Sequence, residues 1–353
     1  MGQNAPLLDV LRDRAPVAIV ALYLVTAAAA WYLLKELASV FRPLLLAVFL
    51  TYIIMPVQAG LARKTSRVVG FILLGLVIVG ACAFVATLAA GSAADLANDL
   101  PRHTERIKGV IARLTETAER WPWLAALTSK ISGAADIDGA QLGKVVKALA
   151  GTAADVLGQG LITGVYLFFL LLEAAHLPAR IQGSFDPARA EHVLAVVARI
   201  NASISRYLRA KVLASILLAV PATIILWAFG MKSAVLWGVL TFLFNFVPYV
   251  GSAVAWTGPT VLAFLVLEPG WRPFTVAGLL LADHVLSANL IEPSLTGKAV
   301  DLSPLVVLLS LAFWGSCWGL EGMLLAVPLT VVLRIILDNL VATRPLARLM
   351  GVG

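Results

Sequence analysis

The chain of 353 residues is 60% hydrophobic and only 13% charged, whereas soluble globular proteins are roughly 45–50% apolar and 25% charged. This composition excludes an ordinary soluble domain and predicts an all-α polytopic membrane protein. The formal net charge of +7 does not indicate nucleic-acid binding, because the basic residues lie in connectors beside apolar runs and no long basic tract carries interleaved aromatics.

Ten apolar segments follow one another along the chain. The first could imitate a secretory signal, but its nearly full membrane length favours a retained helix. Several others are shorter than the ~20 residues that a spanning helix requires, so not all are expected to cross. The segments are 16–34, 43–59, 68–90, 152–172, 212–229, 234–250, 252–267, 274–291, 303–320 and 322–340.

Basic residues between the segments predict the orientation. Lys and Arg cluster near both termini, at 63–67 and within 174–211, and all four clusters are expected on the cytoplasmic side. Both termini are therefore predicted to be cytoplasmic. The predicted parts are N-terminal membrane segments (1–91), an extracytoplasmic amphipathic helical insert (92–150), a membrane helix (151–173), a cytoplasmic amphipathic connector (174–211), a transport core (212–343) and a tail (344–353).

Glycine and proline interrupt two apolar pairs in the second half of the chain. Asn245, Pro248 and Gly251 lie at the first junction, and Gly319 and Gly322 lie at the second. Broken helices at membrane depth are typical of transporter binding sites, because the freed backbone groups must line a cavity or be buried in protein. A re-entrant hairpin is expected at the second junction. The alternative is a pair of kinked structural helices without a transport role.

Ionisable residues next to apolar sequence are the candidates for an ion or solute pathway. Asp283 and His284 precede Asn289 and Glu292, which are three apart and are expected to share a helix face. Glu292 is predicted to relay a proton or cation or to contact substrate. The alternative is an interfacial carboxylate that caps a neighbouring helix or pairs with Lys298. Glu321, at the second junction, is expected to be solvated and to gate the path or bind a cation.

Motifs of enzyme chemistry are absent from the sequence. It contains no G-x-x-x-x-G-K-[ST] loop, no H-E-x-x-H pair and no G-x-S-x-G elbow, and its four histidines are scattered. We therefore predict no catalytic residue, no metal site and no cofactor, and any transport energy has to come from a gradient or a separate partner.

Several motifs resemble those of a known family. They are Asn245-Phe246-Val247-Pro248-Tyr249-Val250-Gly251-Ser252, Pro259, Asn289-Leu290-Ile291-Glu292-Pro293 with Gly297, and Pro304 followed by Gly315, Gly319, Gly322 and Pro328. On these residues the chain resembles the AI-2E family of transporters, also called PerM-like permeases. Ser303 departs from the pattern, because a histidine is expected before Pro304 in much of the family, so any protonation role of that histidine is missing here.

The resemblance implies a bacterial inner-membrane permease with about eight membrane segments, homo-oligomeric assembly and export of small solutes such as autoinducer-2. Some members are associated with sodium/proton exchange instead.

Three functional hypotheses follow from the residues and the resemblance together. The first is a gradient-driven or facilitative permease for a small solute, with a site between the two broken hairpins. The second is a sodium(lithium)/proton antiporter on the same scaffold. The third is a membrane scaffold that binds envelope proteins through the insert.

The expected partners are the solute, a proton or sodium ion, membrane lipids and other copies of the chain. The expected lining of the site is Asn245, Pro248, Gly251, Asn289, Glu292 and 319–322.

Overall fold

The structure, a computed structural model, describes residues 21–61, 75–95, 158–296 and 301–351, apart from residues 23, 27, 78, 93 and 175 and the side chains of 55–61 and 296. The described residues are helical apart from short turns and contain no strand, which confirms the predicted all-α fold class. Nearly all of the predicted insert 92–150, the basic clusters near the N-terminus and at 63–67, and Lys298 lie outside the described residues.

The described helices vary widely in length. In chain order they are α1 (Leu24–Glu36), α2 (Ala38–Leu61), α3 (Gly75–Ser92), α4 (Gly158–Ala174), α5 (Leu177–Ser184), α6 (Pro187–Ala228), α7 (Ala234–Phe244), α8 (Val250–Val266), α9 (Trp271–Leu286), α10 (Glu292–Thr296), α11 (Pro304–Asn339) and α12 (Arg344–Leu349). A π-helical turn, Ser287–Ile291, joins α9 to α10. By length and composition, four described helices could cross a membrane, or up to six if the bent pairs α1–α2 and α4–α5 are single spans.

Helix α6 is the central element of the described bundle, and it packs against α2, α5, α7, α9, α10 and α11. The Asp186 side chain caps it by accepting from the Arg189 backbone N–H, and Pro187 follows at the first helical position. No glycine or proline interrupts 188–220, so residues 187–211 of the predicted connector and 212–228 of the segment after it form one helix of 42 residues. Lys211, predicted as a connector charge at the surface, is instead buried at the centre of the bundle.

Aromatic and basic side chains mark the two ends of α6. At the aromatic end, Phe229 packs edge-on against Trp271 with ring centroids 6.2 Å apart, and Trp227 is exposed. At the basic end, Arg199 pairs with Asp338 at 3.1 Å. Aromatic side chains are enriched at membrane interfaces, and short basic segments favour the cytoplasmic side. The two ends of α6 thus have the character of the two sides of a membrane.

Helices α7 and α8 form the first hairpin, which begins and ends at the aromatic end. Its tip, 245–249, contains Pro248, which lacks a backbone N–H, and Tyr249, which has a φ of 62°. A Cβ on Gly251 would lie 1.7 Å from the Phe244 carbonyl oxygen, so the tight closure of the tip requires glycine there. The sequence correctly predicted a break at this junction.

Helix α11 forms the second hairpin, although its 36 residues alone would be long enough to cross a membrane. Gly319 interrupts it with a φ of 64° and a ψ of −139°. A Cβ on Gly322 would lie 2.0 Å from the carbonyl oxygen of Trp314, whereas eight residues of continuous helix rise about 12 Å. The chain therefore reverses at Gly319, and Leu311 of the first arm packs in one cluster with Ala326 of the second.

The two hairpins enter the bundle from opposite ends. The first hairpin's tip reaches Ser215 of α6, thirteen residues and about 20 Å from the aromatic end. The second hairpin starts at the basic end, where Asp301 pairs with Arg334 at 2.7 Å. Val247 of the first tip packs against both arms of the second hairpin. The two tips therefore meet inside the bundle.

Candidate functional site

A cavity of about 1130 Å³ lies between the first hairpin, the tip of the second hairpin and helices α2, α3 and α4. Its lining extends from the loop 230–233 at the aromatic end to Gly319, Leu320 and Glu321 at the second tip. Most lining side chains are apolar, including Phe49, Leu236 and Leu240. Such a cavity can enclose a small molecule, with the few polar groups determining which molecule it accepts.

Arg42 and Glu321 form an ion pair in the cavity wall. The Arg42 Nε and Glu321 Oε2 atoms are 3.6 Å apart, and both atoms are buried. Glu321 was expected to be solvated, but its side chain is only 27% exposed, because Arg42 of α2 lies against the tip. Trp318 links the same tip to α1, since its indole Nε1–H donates to the Leu34 carbonyl at 2.8 Å.

A second polar group lies on α6, outside the cavity lining. Tyr207, Lys211 and Ser215 are four residues apart and all buried, so they form one polar stripe on the packed face of the helix. Lys211, 3% exposed, forms an ion pair with Glu292. One turn along, Ser215 Oγ accepts a hydrogen bond of 3.0 Å from Asn245 Nδ2 at the first hairpin's tip. We call these five residues the polar track.

The π-helical turn Ser287–Ile291 directs Glu292 towards α6. Pro293 cannot donate a backbone hydrogen bond, and its ring would clash with the carbonyl four residues earlier, so a wider turn relieves the conflict. The prediction that Asn289 and Glu292 share a face is wrong for this reason. Asn289 is exposed and donates to the Val285 carbonyl of its own helix at 2.8 Å, while Glu292 faces Lys211.

The other predicted residues occupy different places. Asp283 and His284 are half-buried on α9, and Glu292 lies within electrostatic range of His284. Gly251 and Gly322 are buried at the closed tips, where they act in packing. The structure therefore does not gather the predicted lining into one site. It divides it between the cavity, with Gly319 and Glu321, and the polar track, with Asn245 and Glu292.

Sequence reasoning missed both basic partners of these ion pairs, Lys211 and Arg42. Lys211 extends the stripe of Ile204, Tyr207 and Leu208, and a lysine on an apolar helix face was a usable signal of a buried partner. Arg42 gave no comparable signal, because it stands at the start of an apolar segment where basic residues are common. Among the described residues, no three His, Cys, Asp or Glu side chains form a group that could hold a metal ion.

Comparison with known proteins places the chain in a family. The family model described as AI-2E family transporter matches residues 19–342. The AI-2 transport protein TqsA of Escherichia coli (strain K12) is 28% identical over 315 residues, which are 89% of this chain and 90% of that protein. YhhT of the same strain is 27% identical over 317 residues, or 90% and 89% of the two chains. YrrI of Bacillus subtilis (strain 168) is 22% identical over 322 residues, 89% of each.

The family match spans both hairpins, the cavity wall and the polar track. The family consists of transporters and not of enzymes, and the apolar helices fit a multi-pass protein. The chain therefore belongs to the AI-2E family of transporters and is a multi-pass membrane protein that functions in transport.

Proposed function

We propose that the protein is a permease that moves a small organic solute through the cavity between its two hairpins, driven by the solute's own gradient or a coupled one. The observation that carries this proposal is the pair of helical hairpins that enter from opposite ends and bound a cavity of about 1130 Å³. Interrupted helices that meet inside a bundle leave backbone groups at membrane depth, which is tolerated where they line a pathway or are buried in protein.

The cavity's chemistry favours a solute with a substantial apolar part. Among the described residues of its lining four are charged, and the positive Arg42 and Lys232 balance the negative Asp95 and Glu321. The remaining lining is largely apolar, so a strongly charged solute would lose hydration without gaining a net counter-charge. The name of TqsA makes autoinducer-2 one solute to include among the candidates.

We place the basic end in the cytoplasm of a bacterial inner membrane. Arg199, Arg334 and Arg344 at this end follow the positive-inside rule. The cavity then extends from the outer side to the middle of the bundle. We also propose that copies of the chain assemble into a homo-oligomer surrounded by lipid, since exposed apolar side chains such as Ile224 and Val261 suit contact with lipid or another copy.

Sodium(lithium)/proton antiport is the second candidate. The buried ion pair of Lys211 and Glu292 favours it. A carboxylate inside a membrane bundle can release the lysine ammonium group and bind a transported cation in its place. Under this alternative the cation crosses without any organic solute.

Flux measurements in liposomes separate the two candidates. Purified protein is reconstituted with a pH-sensitive dye inside, a sodium or lithium gradient is imposed, and labelled solutes of graded polarity are then added. The permease predicts solute entry above that of empty liposomes and no proton movement driven by the cation alone. Proton movement on the cation gradient without solute would instead support the antiporter. If a folded sample moves neither solute nor protons, both transport candidates are contradicted and a scaffold role is favoured.

A further inference from the structure

Among the described residues, the cavity lining stops at the second hairpin's tip, short of the basic end of the bundle. The cavity reaches Gly319 and Glu321, but its lining includes none of the polar track residues. Lys211 is seventeen residues from the aromatic end of α6, or about 26 Å along the helix axis. Glu292 is twenty-one residues from Trp271, the first residue of α9, or about 31 Å. The ion pair thus lies deeper than the first hairpin's tip, between that tip and the basic end.

We infer that the Lys211–Glu292 ion pair is the inner gate of the transport pathway: it joins α6 to the α9–α10 unit beyond the cavity and must open for solute to pass. This inference rests on the proposed permease function. The inference adds a closed barrier at a specific position to that function. It also makes Lys211 a residue of the pathway, a role that the sequence did not suggest.

Several side chains around the ion pair are polar, which suits a gate that is hydrated when it opens. Ser287, five residues before Glu292, is buried, and its Oγ has no hydrogen-bond partner among the described residues. The Glu292 backbone N–H bonds to the Ser287 carbonyl through the π turn, so the two residues are adjacent along the helix. Ser215 and Asn245 lie one turn away on the other side. Separating Lys211 from Glu292 would expose these polar groups, which could then form hydrogen bonds with a passing solute or with water.

Lys211 and Glu292 differ in solvent exposure and in the helix geometry around them. Lys211 is 3% exposed in the middle of a 42-residue helix, whereas Glu292 is 32% exposed and follows a π turn. π turns and proline are the usual places where a helix bends, and Pro293 follows Glu292 directly. Movement of α10 away from α6 is therefore the motion that would open the pair. Glu292, closer to solvent, would be hydrated from the basic end as it leaves.

Reversible cross-linking tests the gate. Cys82 and Cys317 are first replaced by Ala, and Lys211→Cys/Glu292→Cys is then treated with a bis-methanethiosulfonate reagent that bridges the two thiols. Labelled-solute flux is measured in liposomes before bridging, after bridging and after reduction with dithiothreitol. The matched control is Glu173→Cys/Arg180→Cys, which replaces an exposed ion pair between α4 and α5. We expect bridging at 211 and 292 to abolish flux, reduction to restore it, and bridging of the control pair to leave flux unchanged.

Flux that persists through the bridged 211–292 pair would overturn the gate while leaving the permease intact. If the double-cysteine protein fails to fold, Lys211→Met/Glu292→Gln replaces it, and the gate then predicts faster passive solute leak than in the native protein. An unchanged leak in that variant would also overturn the gate. A native protein without solute flux would remove the proposed function itself, a result distinct from either.

Discussion

Replacing Glu292 by Gln is expected to be among the most destabilising single changes in the bundle, lowering the free energy of unfolding by about 3–5 kcal/mol. Its partner Lys211 is 3% exposed, so the ammonium group would remain buried without its counter-charge. Lys211→Met is expected to cost less, because the carboxylate left behind is 32% exposed and can be hydrated. Thermal unfolding of the detergent-purified variants measures both effects.

The double variant Lys211→Met/Glu292→Gln completes the test. Since it removes both charges, we expect its stability to recover most of the loss seen in Glu292→Gln, with a coupling free energy of about 2 kcal/mol or more. Arg199→Met/Asp338→Asn and its single variants are the control, because this pair lies at the basic end with the Arg199 side chain 60% exposed. There the coupling is expected to be about 1 kcal/mol or less. Additive losses at 211 and 292 would contradict the buried pair.

The second large effect is expected at the first hairpin's tip, where Gly251→Ala should cost on the order of 3 kcal/mol. The added Cβ would lie 1.7 Å from the Phe244 carbonyl oxygen and 3.1 Å from the Val247 Cβ. The nearest atom belongs to the backbone, so a side-chain rotation cannot relieve the contact. Either α8 moves away from α7 or the tip opens, and the melting temperature falls in both cases.

Gly278→Ala is the matched control for the same substitution. Gly278 lies in the interior of α9, and a Cβ there would meet nothing within 4 Å. Alanine is the better helix former, so this variant should be unchanged or more stable by about 0.5–1 kcal/mol. Equal melting temperatures for Gly251→Ala and the native protein would show that the tip is not closed as described.

The general character of the fold could be predicted from the sequence, because apolar runs of membrane length depend on local composition alone. The breaks at 245–251 and at Gly319 were also predictable, since proline and glycine act on their own backbone. The direction from which each hairpin enters the bundle could not be predicted. It depends on which helices pack together, as when Asn245 reaches Ser215, and such contacts between distant residues leave no periodic trace in one sequence.

The candidate site was predicted in part, and the errors have physical causes. Glu292 was recognised as a carboxylate that needs a partner, but Lys211, the partner among the described residues, is 81 residues away on α6. Asn289 was grouped with Glu292 by α-helical spacing, which the π turn changes. Glu321 was placed at a hairpin tip correctly. Its burial depends on Arg42 of a distant helix, which local sequence does not reveal.

Under the proposed permease function, these placements give the solute path two barriers in series. The cavity ends at the second hairpin's tip, where Arg42 and Glu321 meet, and the polar track continues from the first hairpin's tip towards the basic end. A solute that enters from the aromatic end would meet the first pair before the second. Since each pair joins a hairpin or a π turn to a continuous helix, movement of the interrupted elements against α2 and α6 is the simplest way to open them in turn.

The cavity as solute path is the central claim, and filling it tests that claim most directly. Leu236→Trp/Leu240→Trp adds two indoles to the lining from one face of α7, whereas the control Val235→Trp/Val239→Trp adds them to positions on the same helix that do not line the cavity. Both variants and the native protein are reconstituted at equal density, and labelled-solute flux is measured. We predict that the first variant loses flux with its melting temperature retained and that the control keeps native flux. Native flux in both variants would contradict the cavity as the path.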